Sequence, residues 1–166
     1  MIQRIQSVFL FLLAAAMVAM LFLPLWSKAN PATGETLVLS AWNLKTVILS
    51  AEGDVTGAGS MAQRGTIAIG LLAIFTAVIA VYEIFQFKNR LTQMKLGLLN
   101  TLVLAALAGT TVYYALYVGS AMVPVNNNGE YQAGFYMPLL ALFVNALANR
   151  FIRKDENLVR SVDRLR

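Results

Sequence analysis

The sequence predicts an all-α membrane protein. It is a four-transmembrane-helix bundle with a short extracytoplasmic β-hairpin between helices 1 and 2 and an amphipathic cytoplasmic C-terminal helix. Three observations predict this. Hydrophobic residues make up 58% of the 166-residue chain and charged residues only 13%, whereas a soluble domain carries about 25% charged residues. Four windows are almost free of charge and long enough for a bilayer core, which takes about 20 apolar residues per helix. Ten of the thirteen Lys and Arg residues fall on one side of those windows.

The expected spans cover residues 5–27, 65–87, 96–119 and 133–152 of a single domain, 1–166. The first could be confused with a signal peptide. Its apolar run extends to Pro24, Leu25 and Trp26, and Ser27-Lys28-Ala29 is a poor cleavage site. It is therefore expected to remain as a helix. Between the first two spans, residues 28–63 hold two β-rich runs, Glu35 to Ser40 and Leu44 to Leu49, separated by Ala41, Trp42 and Asn43. This pattern reads as an antiparallel hairpin. Two strands alone are marginal in water, so the hairpin must lean on the bundle, on lipid or on a partner. Gly53, Gly57 and Gly59 follow and read as turns.

Arg4, Lys88, Arg90, Lys95 and the six basic residues of the 150–166 segment lie on one side; Lys28, Lys45 and Arg64 lie on the other. The positive-inside rule makes the first side cytoplasmic, and with it both termini. The basic pI is thus largely topogenic and does not point to nucleic acid. The 153–166 tail sets Leu158, Val162 and Leu165 at helical spacing among Arg153, Lys154, Arg160 and Arg164. Such a helix lies on anionic headgroups or against a protein partner. Lys88 and Arg90, in the inner turn, are candidates for the same contacts.

Cys and His are both absent. Thiolate nucleophiles, disulfides, imidazole-ligated metals and bis-histidine haem are excluded with them. No cofactor and no catalytic activity are expected. Within the spans the polar candidates are Glu83, Asn100 and Asn145. Glu83 reads as an interfacial anchor that reaches water or pairs with Lys88 or Arg90, and an Asn100–Asn145 contact is expected to join spans three and four. Gly97, Thr101, Ala105 and Gly109 recur every four residues, a small-residue ridge for helix packing. It seats another span of the same chain or a second copy.

Three segments carry a family resemblance: residues 1–7 (MIQRIQS), 87–93 (FKNRLTQ), and 147–150 (LANR) with the tail from Arg153 to Arg166. Together the chain resembles domain-of-unknown-function family 4293, four-span inner-membrane proteins of Bacteroidota. The resemblance implies four helices, cytoplasmic termini and a Gram-negative inner membrane. It implies no activity and transfers no catalytic residue. The expected function is an accessory or scaffold subunit of a larger membrane assembly. The alternative is a small transporter or channel subunit acting as an oligomer, with Glu83, Asn100 and Asn145 along a polar path. In the lipid reading of the tail, replacing Leu158 and Leu165 by Asp releases it from anionic liposomes and leaves every co-purifying protein in place. Loss of a partner in a pull-down would refute that reading.

Overall fold

The computed structural model describes residues 3–31, 34–49, 55–58, 64–87, 89–122 and 129–163. Among these residues there are four long helices and six strands. Helix α1 spans Gln3–Met20. Strands β1 (Trp26–Ala29), β2 (Glu35–Leu39), β3 (Asn43–Leu49), β4 (Val55–Ala58) and β5 (Arg64–Gly65) follow. Helices α2 (Ile67–Phe85) and α3 (Arg90–Met122) come next; the last two turns of α3 pass through a π-helical stretch, Tyr114–Gly119. A two-residue strand β6 (Glu130–Tyr131) leads into α4 (Ala133–Asp163).

The helices pack as a ring. α1 lies between α4 and α2, and α3 completes the circuit between α2 and α4. Each helix turns one stripe inward: Leu10, Leu13 and Met17 from α1, Ala73 and Ala80 from α2, Leu104 and Leu107 from α3, Ala141 and Val144 from α4. The opposite faces carry large apolar side chains in the open, among them Phe11 at 68%, Leu102 at 63% and Phe143 at 64% exposure. Patches of that size suit an apolar surrounding rather than water.

The predicted fold class is corrected in three respects. First, the chain is not all-α: the expected hairpin is part of a six-stranded antiparallel sheet, in the order β4-β3-β2-β1-β6 with β5 also on β3. Second, three helices are long and apolar enough to cross a membrane, within α2, α3 and α4, and not four. The first apolar helix, Ile5–Met20, is shorter. Its expected span to residue 27 fails because Pro24 has no N–H to donate and disfavours helical backbone at Leu23. Beyond it, Trp26 pairs with Leu39 and the chain is already in the sheet. Third, the amphipathic tail is not a separate helix: α4 continues unbroken from Ala133 to Asp163.

The sheet closes one end of the ring. Trp26, Leu37, Leu39 and Leu44 are wholly buried and share the face that packs on the helices. The turn between β2 and β3 is stitched to the start of α2: Thr66 N–H donates to the Trp42 carbonyl (2.9 Å), Gly70 N–H to the Ala41 carbonyl (3.0 Å) and the Thr66 hydroxyl to the Ser40 carbonyl (2.9 Å). Backbone donors that the first turn of a helix leaves unused are thereby satisfied by the sheet. At the other edge, β6 pairs with β1, and Gln132 N–H and Gly134 N–H donate to the Leu25 and Pro24 carbonyls, both at 3.0 Å. The Trp26 indole fills the junction. A Cβ built on Gly119 would lie 2.6 Å from the ring, and one on Gly129 2.5 Å, so both positions need glycine for the indole to fit. Gly129 also has φ +68°, a backbone that L side chains rarely adopt. Replacing Trp26 by Ala removes this filling and is expected to lower stability by about 3–5 kcal/mol, read from denaturant unfolding in micelles.

Candidate functional site: a polar layer inside the helix ring

The end of the ring opposite the sheet holds buried polar side chains from all four helices. Gln6 (α1), Glu83 (α2), Gln93 and Asn100 (α3) and Asn145 (α4) are each 0–2% exposed. All lie on the inward stripes. On α3, Gln93, Gly97 and Asn100 succeed one another at spacings of four and three, which puts the layer within about two helical turns, roughly 10 Å of depth.

Two hydrogen-bonded groups make up the layer. In the first, Gln6 Nε2 donates to Gln93 Oε1 (3.4 Å), and Gln93 Nε2 donates to the Glu83 backbone carbonyl (3.2 Å). In the second, Asn145 Nδ2 donates to the Gly97 carbonyl (3.0 Å) and to the Thr101 hydroxyl oxygen (2.9 Å), whose own proton goes to the Gly97 carbonyl (2.9 Å). Asn149 lies directly over Gly97, where any Cβ would collide with its amide. Interhelical amide bonds of this kind contribute about 0.6–2 kcal/mol in an apolar surrounding.

The expected roles of the three polar candidates therefore change. Glu83 does not reach water and does not pair with Arg90. It is fully buried, and neither carboxylate oxygen has a hydrogen-bond partner among the described residues. Arg90 turns instead to α4, where Nη2 meets Asp155 Oδ2 at 3.1 Å and Nη1 donates to the Asp155 carbonyl at 3.0 Å. The other anticipated partner, Lys88, lies outside the described residues. Asn100 and Asn145 do not bond each other: Asn145 is taken up by Gly97 and Thr101, while Asn100 has neither side-chain atom satisfied. Gln6, Gln93 and Asn149 were not anticipated. Gln6 and Gln93 sit close to charged residues at the ends of the apolar windows, where amides read as interfacial. Their helical spacing to Leu10 and Gly97 is the signal that would have found them.

The small-residue ridge divides. Gly97 and Thr101 face α4 inside the ring, whereas Ala105 and Gly109 face outward, and a Cβ on Gly109 would meet nothing within 4 Å. In the tail, Arg153 and Lys154 are exposed and Leu158 is 48% exposed. Arg160 and Val162 lie on α4, and Arg164 and Leu165 fall outside the described residues. A groove of about 470 Å³ between α1 and α2 is apolar, bordered by Ala14, Val18, Ala77 and Val81, and includes none of the polar-layer side chains.

Three apolar helices of spanning length, outward apolar faces and an inward polar layer define a protein compatible with residence in a membrane. The chain belongs to the family described as Domain of unknown function (DUF4293), whose profile matches residues 2–165. No curated protein matches it.

The inward end of the ridge and its partner on α4 make a prediction for stability. Gly97→Leu, forced against Asn149, and Asn145→Leu, which strips the bonds to Gly97 and Thr101, each lower the unfolding free energy in micelles. The expected loss for Asn145→Leu is about 0.6–2 kcal/mol. Wild-type stability in both variants would show that the layer does not hold α3 to α4.

Proposed function

We propose that this chain is a non-catalytic integral protein of a bacterial inner membrane, acting as an accessory or scaffold subunit of a larger membrane assembly. The observation that carries this reading is the outward half of the α3 ridge. Ala105 and Gly109 form a shallow face, open at Gly109, on a helix whose inward face is already occupied. Within a bilayer, close backbone approach at small residues is a main source of helix association. A glycine with no neighbour gains nothing within its own helix, where it costs about 1 kcal/mol relative to alanine. A second helix laid against it accounts for its presence.

The orientation is part of the proposal. Gln6 and the stacked pair Phe9 and Phe151 set the start of α1 and the end of α4 at the same end of the ring as the α2–α3 turn. That end carries the excess of Lys and Arg, which argues for a cytoplasmic location. The sheet then lies on the outer surface. Arg153 and Lys154 are placed to meet anionic headgroups, and the helix partner is a protein of the same membrane or a second copy of the chain.

The test separates association from folding. Because Gly109 has open space, Gly109→Leu is expected to keep or raise thermal stability. The same variant should release the partner or the second copy on mild-detergent purification, seen by mass and by identification of what co-purifies. A wild-type chain that is monomeric and alone under those conditions would overturn the proposal. So would a Gly109→Leu chain that keeps its companions in full.

A further inference from the structure

The polar layer has a surplus of acceptors. Among the described residues, the buried side-chain oxygens without a partner in this layer are Gln6 Oε1, both Glu83 oxygens, and the Oδ1 atoms of Asn100, Asn145 and Asn149. Against them stands one unpartnered donor, Asn100 Nδ2. For Asn145 and Gln6 the imbalance does not come from the orientation chosen for the amide. Asn145 Nδ2 faces the Gly97 carbonyl, and Gln6 Nε2 faces Gln93 Oε1. Turning either amide would set oxygen against oxygen.

Buried polar groups are nearly always satisfied, and an acidic side chain deep in a membrane protein is a functional site by default. A single group that satisfied several of these oxygens would bring positive charge or donors to them. Arg90, the basic side chain closest in sequence to Glu83 among the described residues, is committed to Asp155. No group of three or more acidic, His or Cys side chains that could hold a metal ion occurs among the described residues, so the ligand set is that of neither a divalent-metal cage nor a zinc site. One carboxylate with several neutral amide oxygens balances a single positive charge and replaces a hydration shell. Backbone and side-chain oxygens deep in transport proteins hold alkali ions in this manner.

We propose that the polar layer binds one monovalent metal cation, with the Glu83 carboxylate as counter-charge and the amide oxygen of Asn100 among its ligands. The other unpartnered oxygens of the layer, on Gln6, Asn145 and Asn149, are the candidates for its further ligands. The site lies at the end of the ring away from the sheet. The site lies within one chain, so it stands or falls separately from the assembly proposed above.

The experiment is a thermal titration of the purified full-length chain in detergent micelles, replacing choline chloride by sodium, potassium or lithium chloride at constant ionic strength. At least one alkali ion is expected to raise Tm saturably, by roughly 5 °C at a hundred-fold excess over its dissociation constant. Asn100→Ala is expected to move the midpoint at least about tenfold to higher concentration, and Glu83→Gln to abolish the response. The same Tm in all three alkali ions and in choline would overturn the proposal in the wild-type chain alone, whether or not the variants fold. An unchanged midpoint in both variants would equally overturn it, by placing the ion elsewhere.

Discussion

Because the outward faces of the helices are largely apolar, a buried polar side chain of the ring can find its partner only inside. That constraint organises the molecule. The buried amide and acidic side chains of α1, α2, α3 and α4 are gathered at one level, where several meet across helix boundaries. The Gln6–Gln93–Glu83 and Asn145–Gly97–Thr101 connections result. Closely spaced small residues permit this: with any side chain on Gly97, Asn149 could not lie where it does.

The same constraint acts at the opposite end through the backbone. Helix termini expose unpaired N–H and C=O groups, and here the sheet receives them. The turn at Ala41 and Trp42 accepts from α2, and Pro24 and Leu25 accept from the chain entering α4. The sheet is thus more than a lid resting on a finished bundle. Its inner face, built on Trp26, Leu37, Leu39 and Leu44, is continuous with the helical core.

Much of this was legible in the sequence. The apolar windows located α2, α3 and the membrane-length part of α4 to within a few residues at most ends, because long apolar stretches leave few alternatives. The strands β2 and β3 showed through their β-branched and leucine-rich runs. β1 did not, because Trp26, Ser27, Lys28 and Ala29 follow an apolar helix directly and read as its end. β4 is built on Val55, Thr56, Gly57 and Ala58, whose glycine reads as a turn, and β6 is only two residues long. Both exist because partners distant in the chain hold them, which no local pattern displays. For the polar layer, Glu83, Asn100 and Asn145 were visible as polar residues in apolar windows, but their partners were not. Pairing depends on how the helices rotate about their axes. A displacement of a few residues along α3 decides whether Asn145 meets Asn100 or Gly97.

The pairing of β6 with β1 makes the molecule mechanically asymmetric. Through it, the connection between α1 and α2 and the connection between α3 and α4 become one sheet. Beneath that sheet the start of α2 and the chain entering α4 are tied to it by backbone bonds. At the far end, across the ring, the described ties include a long side-chain bond between Gln6 and Gln93 and the grip of Arg90 on Asp155. The two ends of the ring are thus held by different means, backbone pairing at the sheet and side-chain contacts at the polar layer, so a side-chain substitution can loosen the second end and leave the first intact.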